Sequence, residues 1–119
     1  MHKDVFVGLD LDLYPRQSFG AGDIVLRDGA RTDRLLFVLN GRLDGGPGGR
    51  ALGAGDIVDP IAFFGAPHYP AVVRARAKSQ IAVVPRDAVR ACLDAQGAMT
   101  WNLACAIAIE ALAAAREYA

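Results

Sequence analysis

The sequence predicts a mainly β fold, a sandwich or small barrel, closed by two C-terminal helices. Three observations carry this. Gly and Pro are dense up to Pro85, and every glycine but Gly97 precedes that point. Through this part, short apolar runs alternate with turn signals at the close spacing of sandwiches and barrels. After Pro85 the composition becomes rich in Ala, the strongest helix former. The 119 residues suit one domain, with the β part over about 14–85 and the helices over about 86–118.

Tyr14–Phe19 is the first expected strand. Gly20-Ala21-Gly22 turns it, and Asp23–Leu26 follows until Asp28-Gly29. Arg34–Leu39 (RLLFVL) is the strongest β run. Asn40-Gly41 then signals a hairpin, because both residues tolerate positive φ, and Arg42–Asp44 is the expected return strand. Gly45–Gly49 (GGPGG) is an expected loop tip, and Arg50–Leu52 resumes a strand. Ala71–Ala75 and Gln80–Val84 complete the β set.

One hexapeptide, GAGDIV, occurs twice, at Gly20–Val25 and Gly53–Val58. The offset falls in the range of solenoid repeats, but a solenoid needs about three copies and no third exists. The repeat therefore encodes a local turn used at two equivalent corners. Asp59–Gly65 (DPIAFFG) reads as a helical turn embedded in the β part: Asp can cap it, Pro suits its first position, and Gly can end it.

Arg86–Leu93 and Ala98–Tyr118 are the expected helices. The second is apolar on several sides, which predicts cover on several sides. A partner's identical helix is one expected cover, through Trp101, Cys105, Ala108, Ile109 and Leu112, and crowding within the chain is the alternative.

Thirteen basic and thirteen acidic residues cancel, which argues against a general nucleic-acid binder. Cys92 and Cys105 match no common metal spacing. Buried reduced thiols are expected, which favours a cytoplasmic location; a disulfide between the two helices is the alternative. No signal peptide is visible, and Trp101–Ala115 is short for a bilayer span and interrupted by Asn102 and Glu110. No membrane contact, cofactor or metal is expected.

The order of parts resembles the cyclic-nucleotide-binding domain of catabolite-activator-type regulators and of some protein kinases and ion channels. The matching residues are Phe19–Ile24, Arg27-Asp28-Gly29, Asp33–Leu43, Leu52–Ile57, Val72–Ala75 and Val83–Arg86, spread over roughly 14–115. The resemblance implies a double-stranded β-helix jelly roll, with the two GAGDIV stretches as matching corners. It also implies that the embedded helical turn belongs to a phosphate-binding cassette, here Pro60, Ile61, Ala62, Phe63, His68, Tyr69, Pro70 and Ala71.

Set against the family pattern, two contacts are missing. The Gly-Glu pair that opens the cassette and holds the ribose falls on Asp59-Pro60, and Pro60 offers no acceptor. The Arg that pairs with the cyclic phosphate falls on Tyr69, which offers no charge. Removing one partner of such a contact costs about 2–5 kcal/mol. Arg74 and Arg76 share a strand face opposite apolar Val73 and Ala75, so both are expected to point to solvent. His68 could supply a cation below neutral pH.

The expected function is a non-catalytic regulatory module that binds cyclic nucleotides weakly or not at all, or takes another small anion. It dimerises through its last helix, as the resemblance implies, and could contact a protein partner. It is not expected to bind DNA by itself. A working cyclic-nucleotide sensor with substitute contacts, or a cupin-like enzyme, are the alternatives. No metal-binding histidine set, Ser–His or Cys–His arrangement, or phosphate-binding Gly-Lys-Ser/Thr motif supports catalysis.

Overall fold

A computed structural model describes residues 8–45 and 49–117. Seven strands form two antiparallel sheets. They are β1 (Arg16–Phe19), β2 (Ile24–Leu26), β3 (Arg34–Asn40), β4 (Arg42–Asp44), β5 (Leu52–Gly53), β6 (Val73–Ala75) and β7 (Ser79–Pro85). One sheet runs β1-β7-β3 and the other β2-β6-β4-β5, and together they make a jelly roll. Helix α1 (Pro60–Gly65) lies between β5 and β6, and α2 (Arg86–Gln96) and α3 (Thr100–Glu117) close the chain. A short 3-10 turn at Leu11–Leu13 precedes the roll.

The two GAGDIV stretches make the same turn. In the first, Gly20 N–H donates to Asp23 Oδ2 (2.7 Å) and Asp23 N–H to Gly20 O (3.0 Å). In the second, Gly53 N–H donates to Asp56 Oδ2 (2.8 Å) and Asp56 N–H to Gly53 O (3.0 Å). Gly22 and Gly55 both sit at φ +90°. Each turn then clips onto a strand by the same pair of bonds. Gly22 N–H donates to Ala75 O while Ala75 N–H donates to Asp23 O; Gly55 N–H donates to Val38 O while Val38 N–H donates to Asp56 O. The first corner thus grips β6 and the second grips β3.

Asn40-Gly41 is not a hairpin. β3 pairs with β7, whereas β4 pairs with β5 and β6, so the chain changes sheets at this point. Gly41 has φ +98°, and a Cβ there would overlap the Ser79 side chain and come within 2.6 Å of Lys78 O. A positive φ makes a turn but does not choose the partner of the next strand. Ser79, fully buried, accepts from Arg42 N–H (3.0 Å) and donates to Ala77 O (2.8 Å), which pins the crossing.

Other elements depart modestly from expectation. β1, β5 and β6 begin one or two residues later than their apolar patterns, and α2 runs one turn past Leu93 to Gln96. The apolar stripe of α2 ends at Leu93, but its backbone continues until Gly97. Residues 46–48 of the expected loop tip, and Tyr118 of the last helix, lie outside the described residues.

The core joins Leu35–Val38 of β3 to Ile81, Ala82 and Val84 of β7, with Leu43, Leu52 and Val73 of the other sheet. Four successive buried residues in β3 mean that both its faces are covered, and α1 and α2 both contact it.

Gly41→Ala should lower unfolding free energy by about 3 kcal/mol or more, adding overlap to backbone strain. Gly22→Ala, which meets nothing within 4 Å, should cost only the strain, about 1–2 kcal/mol. Urea unfolding of both variants measures the difference.

Candidate functional site

Helix α1 starts at Asp59, whose φ of +41° is the only positive value among the described non-glycine residues. Asp tolerates this conformation because its short side chain bonds locally. Here Oδ1 accepts from Ala62 N–H at 3.1 Å. The start of α1 therefore carries its own carboxylate, where free N–H groups would otherwise favour an external anion. Burial raises the Asp59 carboxyl above the usual carboxylate range, and the Ala62 N–H partly offsets this.

Pro60, Ala62, Phe63 and Phe64 turn inward, and Ile61 is exposed. Tyr69 is 1% exposed, and its hydroxyl donates to Arg34 O at 2.7 Å. Its backbone pairs with the 29–32 segment: Tyr69 N–H donates to Ala30 O (2.7 Å) and Gly29 N–H to Tyr69 O (2.9 Å). Burial pushes the phenol above its ordinary range, and the Asp59 charge adds to this. Tyr69 is thus a neutral side chain that completes the core beside α1. His68, Pro70 and Ala71 are exposed on the following stretch, with His68 bridged through its backbone to Arg31. The eight cassette residues therefore divide into an inward set and an exposed set.

Arg74 and Arg76 are both exposed, as the strand alternation predicts. Arg74 reaches Gly22 O at 3.4 Å, and Arg76 pairs with Asp44 at 2.8 Å. The cations close enough to influence Tyr69 are instead Arg34 and Arg86.

Arg86 is the residue that sequence reasoning missed. Its Nη1 donates to Phe63 O in α1 (2.8 Å) and to Thr32 O (2.9 Å). Its guanidinium lies 4.9 Å from the ring centres of both Phe63 and Trp101. Trp101 packs edge-on to Phe64 (5.5 Å) and Phe63 (6.3 Å) and has Arg90 on it at 5.6 Å. A signal existed: Arg86 is the first residue of α2, where the helix dipole disfavours a cation, and Pro85 supplies no cap. A misplaced cation beside an aromatic cluster has another task.

The stripe of α3 expected to meet a partner faces the chain itself. Trp101 and Ala108 are buried, Cys105 and Leu112 are half-buried, and of that set only Ile109 is exposed. Gly65 lets α1 reach this stripe, since a Cβ there would come within 2.8 Å of Ala108 C. Met99, Leu103 and Ile107 point to solvent on the opposite face. Cys92 and Cys105 are unbonded, and no metal-binding cluster occurs among the described residues. No single described helix is long and apolar enough to cross a membrane.

The model of the cyclic nucleotide-binding domain matches residues 16–96. No curated protein matches the chain. Among solved structures, it is similar to a putative cyclic nucleotide-binding protein from Geobacter metallireducens at 15% identity and a TM-score of 0.64, covering 97% of this chain and 92% of that one. A transcriptional regulator from Thermotoga maritima matches at 20% identity and 0.63, covering 92% and 95%. A cAMP-bound PfPKA-R matches at 18% identity and 0.61 over 69% of this chain, which spans 30% of that protein. Identities this low carry the fold alone.

Asp59→Asn keeps the cap and removes a charge that burial disfavours. The raised folded pKa means that the protonated form favours the fold, so ionisation as pH rises weakens it. Solvent screening limits the gain at pH 7 to about 0.5 kcal/mol. The gain should fade as pH falls below the ordinary aspartate value of 3.8. Chemical denaturation at pH 7 and pH 3 measures it; a gain that grows in acid contradicts the assignment.

Proposed function

Because the chain belongs to the cyclic nucleotide-binding domain family, we propose that it is a non-catalytic regulatory module that binds cyclic nucleotides weakly or not at all. One observation carries this reading. At the position of the phosphate-binding Arg stands Tyr69, buried, neutral, and with its hydroxyl committed to Arg34 O. Two further features support it. Asp59 supplies an anion at the helix start, and Pro60 replaces the ribose-binding Glu. Losing one charged, forked contact weakens affinity by about one and a half to four decades. Calorimetric titration with cyclic AMP and cyclic GMP should show no saturation below about 100 μM. A micromolar dissociation constant for either nucleotide rejects this part of the reading.

The module pairs with a second copy through α3. Support comes from Met99, Leu103 and Ile107, which are 67%, 59% and 60% exposed. They lie one turn apart on the face opposite Trp101 and Leu112. Glu110 interrupts this ridge, so the contact is confined to the first half of the helix. Leu103→Asp should convert a dimer to a monomer in sedimentation equilibrium while leaving the monomer folded, since the side chain is outside the core. A parent chain that is monomeric at about 100 μM removes the dimer from the proposal.

A further inference from the structure

At the opposite end of α1 from Asp59 lies a cleft of about 360 Å³. It runs between Arg31–Asp33, the Phe64–Pro67 turn and Arg86. This volume suits a small molecule. Its walls are braced: Thr32 Oγ1 donates to Ala66 O (2.6 Å), Thr32 N–H to Pro67 O (3.1 Å) and Arg86 N–H to Asp33 O (2.8 Å). The cleft is thus held by main-chain bonds and does not depend on exposed side chains for its shape.

Its charge is unbalanced. Arg86 spends Nη1 on two carbonyls, and its Nε and Nη2 meet no acceptor among the described residues. A guanidinium has five N–H donors, so three remain. Nε and Nη2 form one edge of the group, the edge that meets both oxygens of a carboxylate side-on. Arg31, on the facing wall, makes no side-chain hydrogen bond or ion pair among the described residues. Asp33 is the one acid lining the cleft and is likewise outside any ion pair there. Two cations against one anion match a singly charged head and disfavour a doubly charged one.

The cleft also has an apolar continuation. A second hollow of about 550 Å³ shares Gly65, Ala66 and Pro67 with it and extends over Leu112 and Ala115 to Arg116. We propose that this groove binds an organic monocarboxylate with an apolar body, its head on Arg86 and Arg31 and its body along Pro67 and Leu112. Such a ligand touches α1, α3 and the segment before β3 at once, across the seam where Gly65 meets Ala108. It would therefore strap the two helices together, and it enters by a route separate from the start of α1.

The test uses octanoate as probe and inorganic phosphate as the bare, more highly charged control. Octanoate should bind saturably, with a dissociation constant below about 1 mM, and phosphate about tenfold more weakly. Amide resonances of Gly65, Ala66 and Leu112 should shift, with Ile61 unmoved. Arg31→Gln should weaken octanoate about fivefold, as suits an exposed cation. Arg86→Lys, which keeps the charge but loses the fork, should weaken it about tenfold or more. Arg31 holds nothing else in the chain, so its variant keeps the test readable if Arg86→Lys fails to fold. The proposal is overturned by octanoate binding weaker than about 1 mM, by phosphate binding as tightly, by unchanged affinity in Arg31→Gln, or by shifts centred on Asp59–Ala62.

Discussion

The arrangement of helices on the roll turns on the Arg86 guanidinium. It ties the carbonyl of Phe63 in α1 to that of Thr32 before β3, and its flat faces cover Phe63 and Trp101. A cation at the last turn of α1 also complements the negative end of that helix. The same group therefore joins α1 to the segment entering β3 and sets the aromatic surface on which α3 lies. A hydrogen bond to a charged donor contributes about 1.5–3 kcal/mol, and loss of this donor strands both carbonyls. A lysine could supply the charge but not the plane, and the plane is what packs between the two rings.

Around that clamp the cassette keeps its backbone while its polar atoms are committed within the chain. Asp59 caps α1, Tyr69 bonds to Arg34 O, and Thr32 bonds to Ala66 O. Each bond satisfies a group that a sugar or phosphate would otherwise have to satisfy. The result is a stable fold whose ancestral binding surface has become part of its core. Fold and ligand chemistry separate here for a simple reason. The roll rests on apolar burial and main-chain bonds, whereas the phosphate contact rests on one charged side chain.

How legible this was in the sequence depended on range. The GAGDIV turns, the β3 run and the Asp-Pro start of α1 were readable because their hydrogen bonds close within three or four residues. The partners of Asn40-Gly41 were not readable, since glycine encodes a dihedral angle and not a destination. Tyr69 and Arg86 were misjudged or overlooked because their acceptors lie 35, 23 and 54 residues away. On α3 a helical wheel finds two apolar faces but cannot tell which one the body takes. Gly65 decides that, by letting α1 approach the Trp101–Ala108 side closely.

The two matching corners carry a cost for the folding chain. Six identical residues hold no information about whether β3 or β6 is their proper dock, since both docks use the same pair of main-chain bonds. Discrimination must come from the flanks: Leu26-Arg27 leads the first copy into a strand, and Asp59-Pro60 turns the second into a helix. Until those flanks are ordered, the early ensemble contains a crossed docking of equal local quality. Escape from it means breaking correct-looking bonds, so the speed of reaching the native roll is governed by unlinking and not by collapse.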